Sequence, residues 1–207
     1  KQKTAYEIYQ CDWSSDVCSS DLCTALLASA LIATGGASAS GGRYVFDGGT
    51  TLERAQVRQA LAVSAFNWNV IPGTVTVHIS DSPSTEAAPG EIWLNASLLD
   101  QGTFSWGIVQ HEFAHQVDLL LFSDATRAQL NTLLGGTSWF GEPGDAHSQL
   151  GAERFASTLA WSYWQTTANS LRPTSSADEA GAMAPASFRA LITTLLSSST
   201  SYATRHA

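Results

Sequence analysis

Apolar positions along the chain recur with two periods. Val57, Leu61 and the Ser64–Ala65 pair fall at helical spacing, and Thr50 and Glu53 have capping-box spacing, which predicts a helix from about 51 to 66. After the Ile71-Pro72-Gly73 turn the period drops to two. In TVTVHIS, Val75, Val77 and Ile79 share one face while Thr76 and His78 share the other, predicting a strand with one buried side. DSPSTEAAPG reads as a loop and EIWLN as a second, shorter strand. From Thr103 to Phe122 the chain is apolar nearly all round, as in a central buried helix. Ser123 and the Gly135-Gly136 pair bracket a helix to about Leu134. A Gly/Pro-rich loop then leads to a helix from about Gln149 to Thr167. Pro185 starts a last helix through Leu195 or Leu196. Strands early and helices late make the expected class α+β, with a small N-terminal sheet packed on the buried helix and a helical C-terminal half.

The first 22 residues, KQKTAYEIYQCDWSSDVCSSDL, have no such period. Back-translated, Lys1–Ile8 and Asp12–Leu22 resemble the two halves of a short-read sequencing adapter, in one frame and with room for an index between them. Residues 1–22 are therefore expected to be translated library sequence that makes no tertiary contacts. Residues 23–39 follow, with the apolar run ALLASALIA and an Ala37-Ser38-Ala39 cleavage pattern. They read as a signal peptide truncated at its basic end. The run is too short for a stable membrane span, and Cys23 precedes it, which excludes a lipoprotein anchor. The expectation is a secreted protein without a stable membrane anchor, comprising one domain over 40–207.

That division changes the composition. Cys11, Cys18 and Cys23 all precede residue 40, so the domain has no thiolate site and no disulfide. Outside residues 1–22 the chain carries eight Arg, no Lys and fourteen Asp or Glu, a formal net charge of −6. An acidic chain without basic clusters argues against a nucleic-acid partner. Arg used to the exclusion of Lys, with abundant Ala, suggests a GC-rich genome.

The candidate chemistry lies in the buried helix, at His111-Glu112-Phe113-Ala114-His115. Histidines at i and i+4 share a helix face one turn apart, the spacing at which two imidazoles hold one tetrahedral Zn²⁺. Glu112, beside the first, is placed to act as general base. A buried helix does not carry two His and a Glu without compensation, because each is costly to desolvate. A catalytic zinc takes a third protein ligand, and Asp118, Asp145, His147, His78 and Glu153 are the candidates. Glu153 is favoured: a second helix packed against the first can present its carboxylate to both histidines, and Ala156 and Ser157 are small enough to let the helices approach. Asp118 lies along the same helix line as the histidines. It suits an outer role, accepting a ligand ring N–H or tying the helix to a neighbour.

HEFAHQVD followed some forty residues later by ERFA resembles the gluzincin metallopeptidases, in particular the catalytic domain of anthrax lethal factor and small secreted bacterial relatives. The match covers about fifteen residues. It implies a zincin-like fold and zinc held by His111, His115 and Glu153. It further implies peptide-bond hydrolysis by a zinc-activated water with Glu112 as base. Where the family pattern has a tyrosine upstream of the ligand Glu, GDAHSQLGAE has His147. His147 can supply the same hydrogen bond to the oxyanion, as a histidine does in thermolysin-like enzymes, or it is a loop histidine without a role.

The implied protein is a monomeric secreted zinc peptidase acting on peptide or protein, with EIWLN as the strand bordering the cleft. A catalytically silent binding protein on the same scaffold, or a zinc amidase acting on cell-wall peptide, are the alternatives. Intact Glu112 argues against the silent form. Trp106, Trp161 and Trp164 are expected in the core, and Trp139 in the core or the cleft.

Overall fold

A computed structural model describes residues 42–205 apart from 83 and 142–144, with side chains to 197. The expectations for residues 1–22 and 23–39 lie outside the described residues. The chain is a mixed α and β structure with a four-stranded sheet in its first half and helices dominating the second, consistent with the α+β class.

The first strand, β1 (Tyr44–Gly48), was not apparent in the pattern. Its period of two is present, but Val45 occupies the outer face at 52 % exposure, so the run reads as unbroken apolar sequence. It closes at Gly48, with φ +76°, where a Cβ would meet the carbonyl oxygen of Ile79. The first helix, α1 (Thr51–Val63), opens with the anticipated capping box. Thr50 Oγ1 accepts from Glu53 N–H at 3.3 Å, and Glu53 Oε2 accepts from Thr50 N–H at 2.8 Å. The helix stops at Val63, earlier than the pattern predicted. Ser64 is extended, and Ala65 N–H bonds the carbonyl of Tyr163 at 2.9 Å, which turns Phe66 and Trp68 into the core.

Strand β2 (Val75–Ser80) buries Val75, Val77 and Ile79, as its alternation requires. The predicted loop after it contains a short strand, β3 (Glu86–Ala88), antiparallel to β4 (Glu91–Asn95). The sheet order is β1-β2-β4-β3, with β1, β2 and β4 parallel. EIWLN is therefore an interior strand paired on both sides, and β1 and β3 are the edges. Three residues around Ala87 carry too little pattern to read as a strand. A tertiary contact fixes them: Gln116 Oε1 accepts from Gly90 N–H at 2.8 Å, and Gln116 Nε2 donates to the carbonyls of Ala88 and Glu91.

After one helical turn, α2 (Ala96–Leu99), comes the central helix α3 (Trp106–Leu121), in which every residue from Gly107 to Asp118 is buried. Phe113 packs edge-on against Trp68 and Tyr44 at centroid distances of 5.8 and 5.9 Å. Helix α4 (Asp124–Leu134) is capped by Ser123 Oγ and closed by Gly135 at φ +73°. Helix α5 (Gly151–Tyr163) is two residues shorter at its start, and four at its end, than the pattern predicted. At its end Asn169 Nδ2 donates to the carbonyls of Ala160 and Trp164 and turns the chain away. The last helix, α6 (Pro185–Arg205), runs beyond the predicted stop and packs Phe188 and Ile192 into the core beside Phe155. One continuous core joins the inner sheet face to α1, α3, α5 and α6. No helix among the described residues is long and apolar enough to cross a membrane.

Candidate metal centre

Helix α3 faces two ways. Val109, Phe113 and Val117 join the hydrophobic core, while His111 and His115 meet α5. Helix α5 is buried along nearly its whole length and carries Ala152, Ala156, Ser157 and Ala160, small side chains that allow close approach. Its Glu153 reaches across. Glu153 Oε2 lies 3.0 Å from His111 Nε2 and 3.4 Å from His115 Nε2, and the two Nε2 atoms are 3.0 Å apart. His111, His115 and Glu153 could together hold a metal ion, and none is more than 2 % exposed.

The members of this cluster shift one another's protonation. Burial alone would raise the Glu153 carboxyl. The charge on His115 and hydrogen bonds from His111, His115 and His147 outweigh it and hold the group well below the usual carboxylate range. Burial opposes the charge on His115, yet the Glu153 carboxylate pushes that ring up to about 9. A metal ion competes with this proton, since an imidazole ligand must be neutral.

Glu112 is buried beside the group, and neither of its carboxylate oxygens has a hydrogen-bond partner among the described residues. Burial pushes its carboxyl above the ordinary value, with His111 and His115 pulling part of the way back. A buried carboxyl left unpaired is costly, and such groups concentrate at functional sites.

His147 sits in a short turn, His147–Gln149, and its Nε2 is 3.0 Å from the same Glu153 oxygen. Its ring lies over that of His111, with centroids 6.3 Å apart and planes 20° from parallel. At 33 % it is the most exposed side chain of the group.

The other candidates for the third corner lie elsewhere. Asp118 Oδ1 accepts from Arg127 Nε at 2.7 Å and Oδ2 from Trp139 Nε1 at 3.0 Å, tying α3 to α4 and to the loop before α5. Trp139 also stacks obliquely on Phe155. Asp145 is exposed. His78 is on the outer face of the sheet, 2.9 Å from Asp47 and stacked on Trp93.

Three residues that the pattern did not flag organise the site. Glu179, in a short turn after α5, accepts from His147 Nδ1 at 2.7 Å through Oε1 and from Ser157 Oγ at 2.8 Å through Oε2. Arg154, next to Glu153, donates to the carbonyls of Leu134, Ser148 and Ala177, fastening both loops that border the site. Gln116, next to His115, holds the β3–β4 turn. An amide inside a helix buried all round was the available signal for Gln116, because a buried amide requires partners. Nothing in SADEAGA separated Glu179 from Asp178. Comparison with family models, curated proteins and solved structures finds no match to this chain.

Proposed function

We infer that this chain is a secreted zinc-dependent peptidase of the gluzincin type, acting on peptide or protein substrates. One observation carries the inference: a single carboxylate oxygen on α5 faces both HExxH imidazoles on α3, with an unpaired buried carboxylate beside them. The residues fit zinc in donor chemistry and in size. Tetrahedral ligands bonded at about 2.0–2.2 Å are separated by ~3.3–3.6 Å. The three separations among His111 Nε2, His115 Nε2 and Glu153 Oε2 are 3.0, 3.0 and 3.4 Å.

Bound zinc would supply Lewis acidity, acidifying water and polarising a carbonyl. Glu112 takes the proton of the attacking water and returns it to the nitrogen that leaves as the peptide C–N bond breaks. Its raised pKa suits both halves of that transfer, because a base poised nearer neutrality is also a competent acid. His147 donates from Nε2 to the oxygen that gains negative charge. The edge strand β3, held to α3 by Gln116, offers main-chain groups to which an extended substrate can add. A zincin-like scaffold is the reading of the fold that accommodates these roles.

Zinc content per chain in wild type and in Glu153→Gln tests the assignment. Wild type is expected to hold one zinc, and the variant far less at the same free zinc. Equal content would remove Glu153 from the ligand set, and a wild type without zinc would end the metal reading. Hydrolysis of casein, blocked by a chelator, separates the peptidase from its alternatives. A zinc-loaded chain that cleaves only cell-wall peptide is the amidase, and one that cleaves neither substrate is the silent scaffold.

A further inference from the structure

The hydrogen bonds behind the metal group form one chain of four side chains. Ser157 lies between His111 and Glu179, with Oγ 3.0 Å from His111 Nδ1 and 2.8 Å from Glu179 Oε2. The other Glu179 oxygen is 2.7 Å from His147 Nδ1. A carboxylate only accepts, so the Ser157 hydroxyl hydrogen points to Glu179 and its oxygen is left to accept from His111 Nδ1–H. The same argument places a hydrogen on His147 Nδ1. Both rings are thereby oriented with Nε2 toward Glu153. We propose that Glu179 is a positioning residue of the candidate metal centre: its one carboxylate fixes the ring hydrogens of His147 directly and of His111 through Ser157.

The turn that carries Glu179 is built to hold it there. The Glu179 carbonyl accepts from Thr158 Oγ1 at 3.1 Å, and Arg154 Nη1 donates to the carbonyl of Ala177 at 3.3 Å. Asp178, beside it, points outward and ties up the backbone and hydroxyls of Thr174 and Ser175. A Cβ at Gly181 would overlap the carbonyl of Ser175, so the turn closes as tightly as a glycine allows. The two ring hydrogens matter for different reasons. With Nδ1–H bonded behind it, His111 can give up to a metal ion the Nε2 that faces Glu153 here. His147, whose Nε2 is 3.0 Å from Glu153, has a carboxylate at each ring nitrogen and can donate from both.

The proposal rests on the zinc reading for its purpose, but the hydrogen positions can be read without metal. Ring-nitrogen NMR of ¹⁵N-histidine protein is the test, on wild type, Glu179→Gln and Ser157→Ala, with zinc affinity measured by chelator competition. In wild type both His111 and His147 should carry Nδ1–H. A glutamine amide has one acceptor end where the carboxylate has two, so Glu179→Gln must lose that pattern at one of the two rings. Ser157→Ala removes the acceptor of His111 alone and should weaken zinc binding about 10–100-fold, leaving the His147 signals in place. Unchanged signals at both rings in Glu179→Gln, or wild-type zinc affinity in Ser157→Ala, would overturn the proposal. A wild type that binds no zinc yet shows both Nδ1 hydrogens would support the positioning role while ending the zinc reading.

Discussion

Two clusters of histidine and carboxylate stand out among the described residues, and they are built in opposite ways. On the outer face of the sheet, His78 splits its nitrogens between two acids on neighbouring strands. Nδ1 is 2.9 Å from Asp47 and Nε2 is 3.5 Å from Glu91. The acids are 73 % and 45 % exposed, so water screens the Asp47 contact, while Nε2 is within ion-pair range of Glu91 without a hydrogen bond. Between α3 and α5 the arrangement is inverted, with nitrogens from His111, His115 and His147 converging on one buried oxygen of Glu153. Histidines beside acids are common on protein surfaces. Convergence on one point, away from water, is what makes such a group able to bind an ion and to shift the pKa values of its members.

The comparison predicts a steep gradient of sensitivity. At the buried end, Glu112→Gln should keep the fold and the zinc but lower hydrolysis by ~10²–10⁴-fold, the usual contribution of a positioned base. Steady-state kinetics beside zinc content would check this, and wild-type turnover would exclude Glu112 as the base. His147→Ala should cost less, because one transition-state hydrogen bond is worth about 2.7–4 kcal/mol while the base stays intact. Its loss should appear in kcat, and a variant worse than Glu112→Gln would reverse the roles assigned here.

A third effect concerns stability without metal. The His115 value is raised from 6.5 to about 9 on folding, so its contribution is complete below pH 6.5 and is lost as pH rises through about 9. The Glu153 value is lowered, so its contribution is present above its unfolded value of 4.5 and is lost as pH falls below that. Thermal stability in chelator should therefore fall on both sides of this window. Saturating zinc, which replaces the His115 proton, should remove the alkaline fall, and an alkaline fall that persisted in zinc would count against His115 as a ligand. The smallest effect belongs to the surface cluster. Asp47→Asn should change stability by under about 0.5 kcal/mol and leave zinc content unaltered. A larger loss by denaturant titration would show that the sheet face is more tightly coupled than its exposure implies.

What the pattern revealed and what it hid divide along the same physical line. The HEFAH pair, the capping box at Thr50, the Ser123 cap and the Gly135 stop are local, because each depends on residues three or four apart. Glu153 was within reach because a second buried helix with small residues is itself a local pattern. By contrast β3 exists because Gln116, 26 residues beyond Gly90, holds its turn, and β1 because Gly48 can lie against Ile79. Glu179 enters the site from 32 residues beyond His147. No periodicity within a segment encodes contacts of that range.

Arg154 has a bearing on how the chain tolerates changes in length. It pins the carbonyls of Ser148 and Ala177, one beside His147 and the other two residues before Glu179. The connection that returns from α5 is knotted again at Asn169, which grips the end of the helix, and at Asp178, which gathers Thr174 and Ser175. Residues inserted between those two knots, at Pro173, would enlarge a surface loop at little entropic cost. The downstream knot would still deliver Glu179 to the same place. The stretch between Arg172 and Thr174 is thus a splice point, where a longer excursion or an added module could be accommodated without touching the chemistry beneath it.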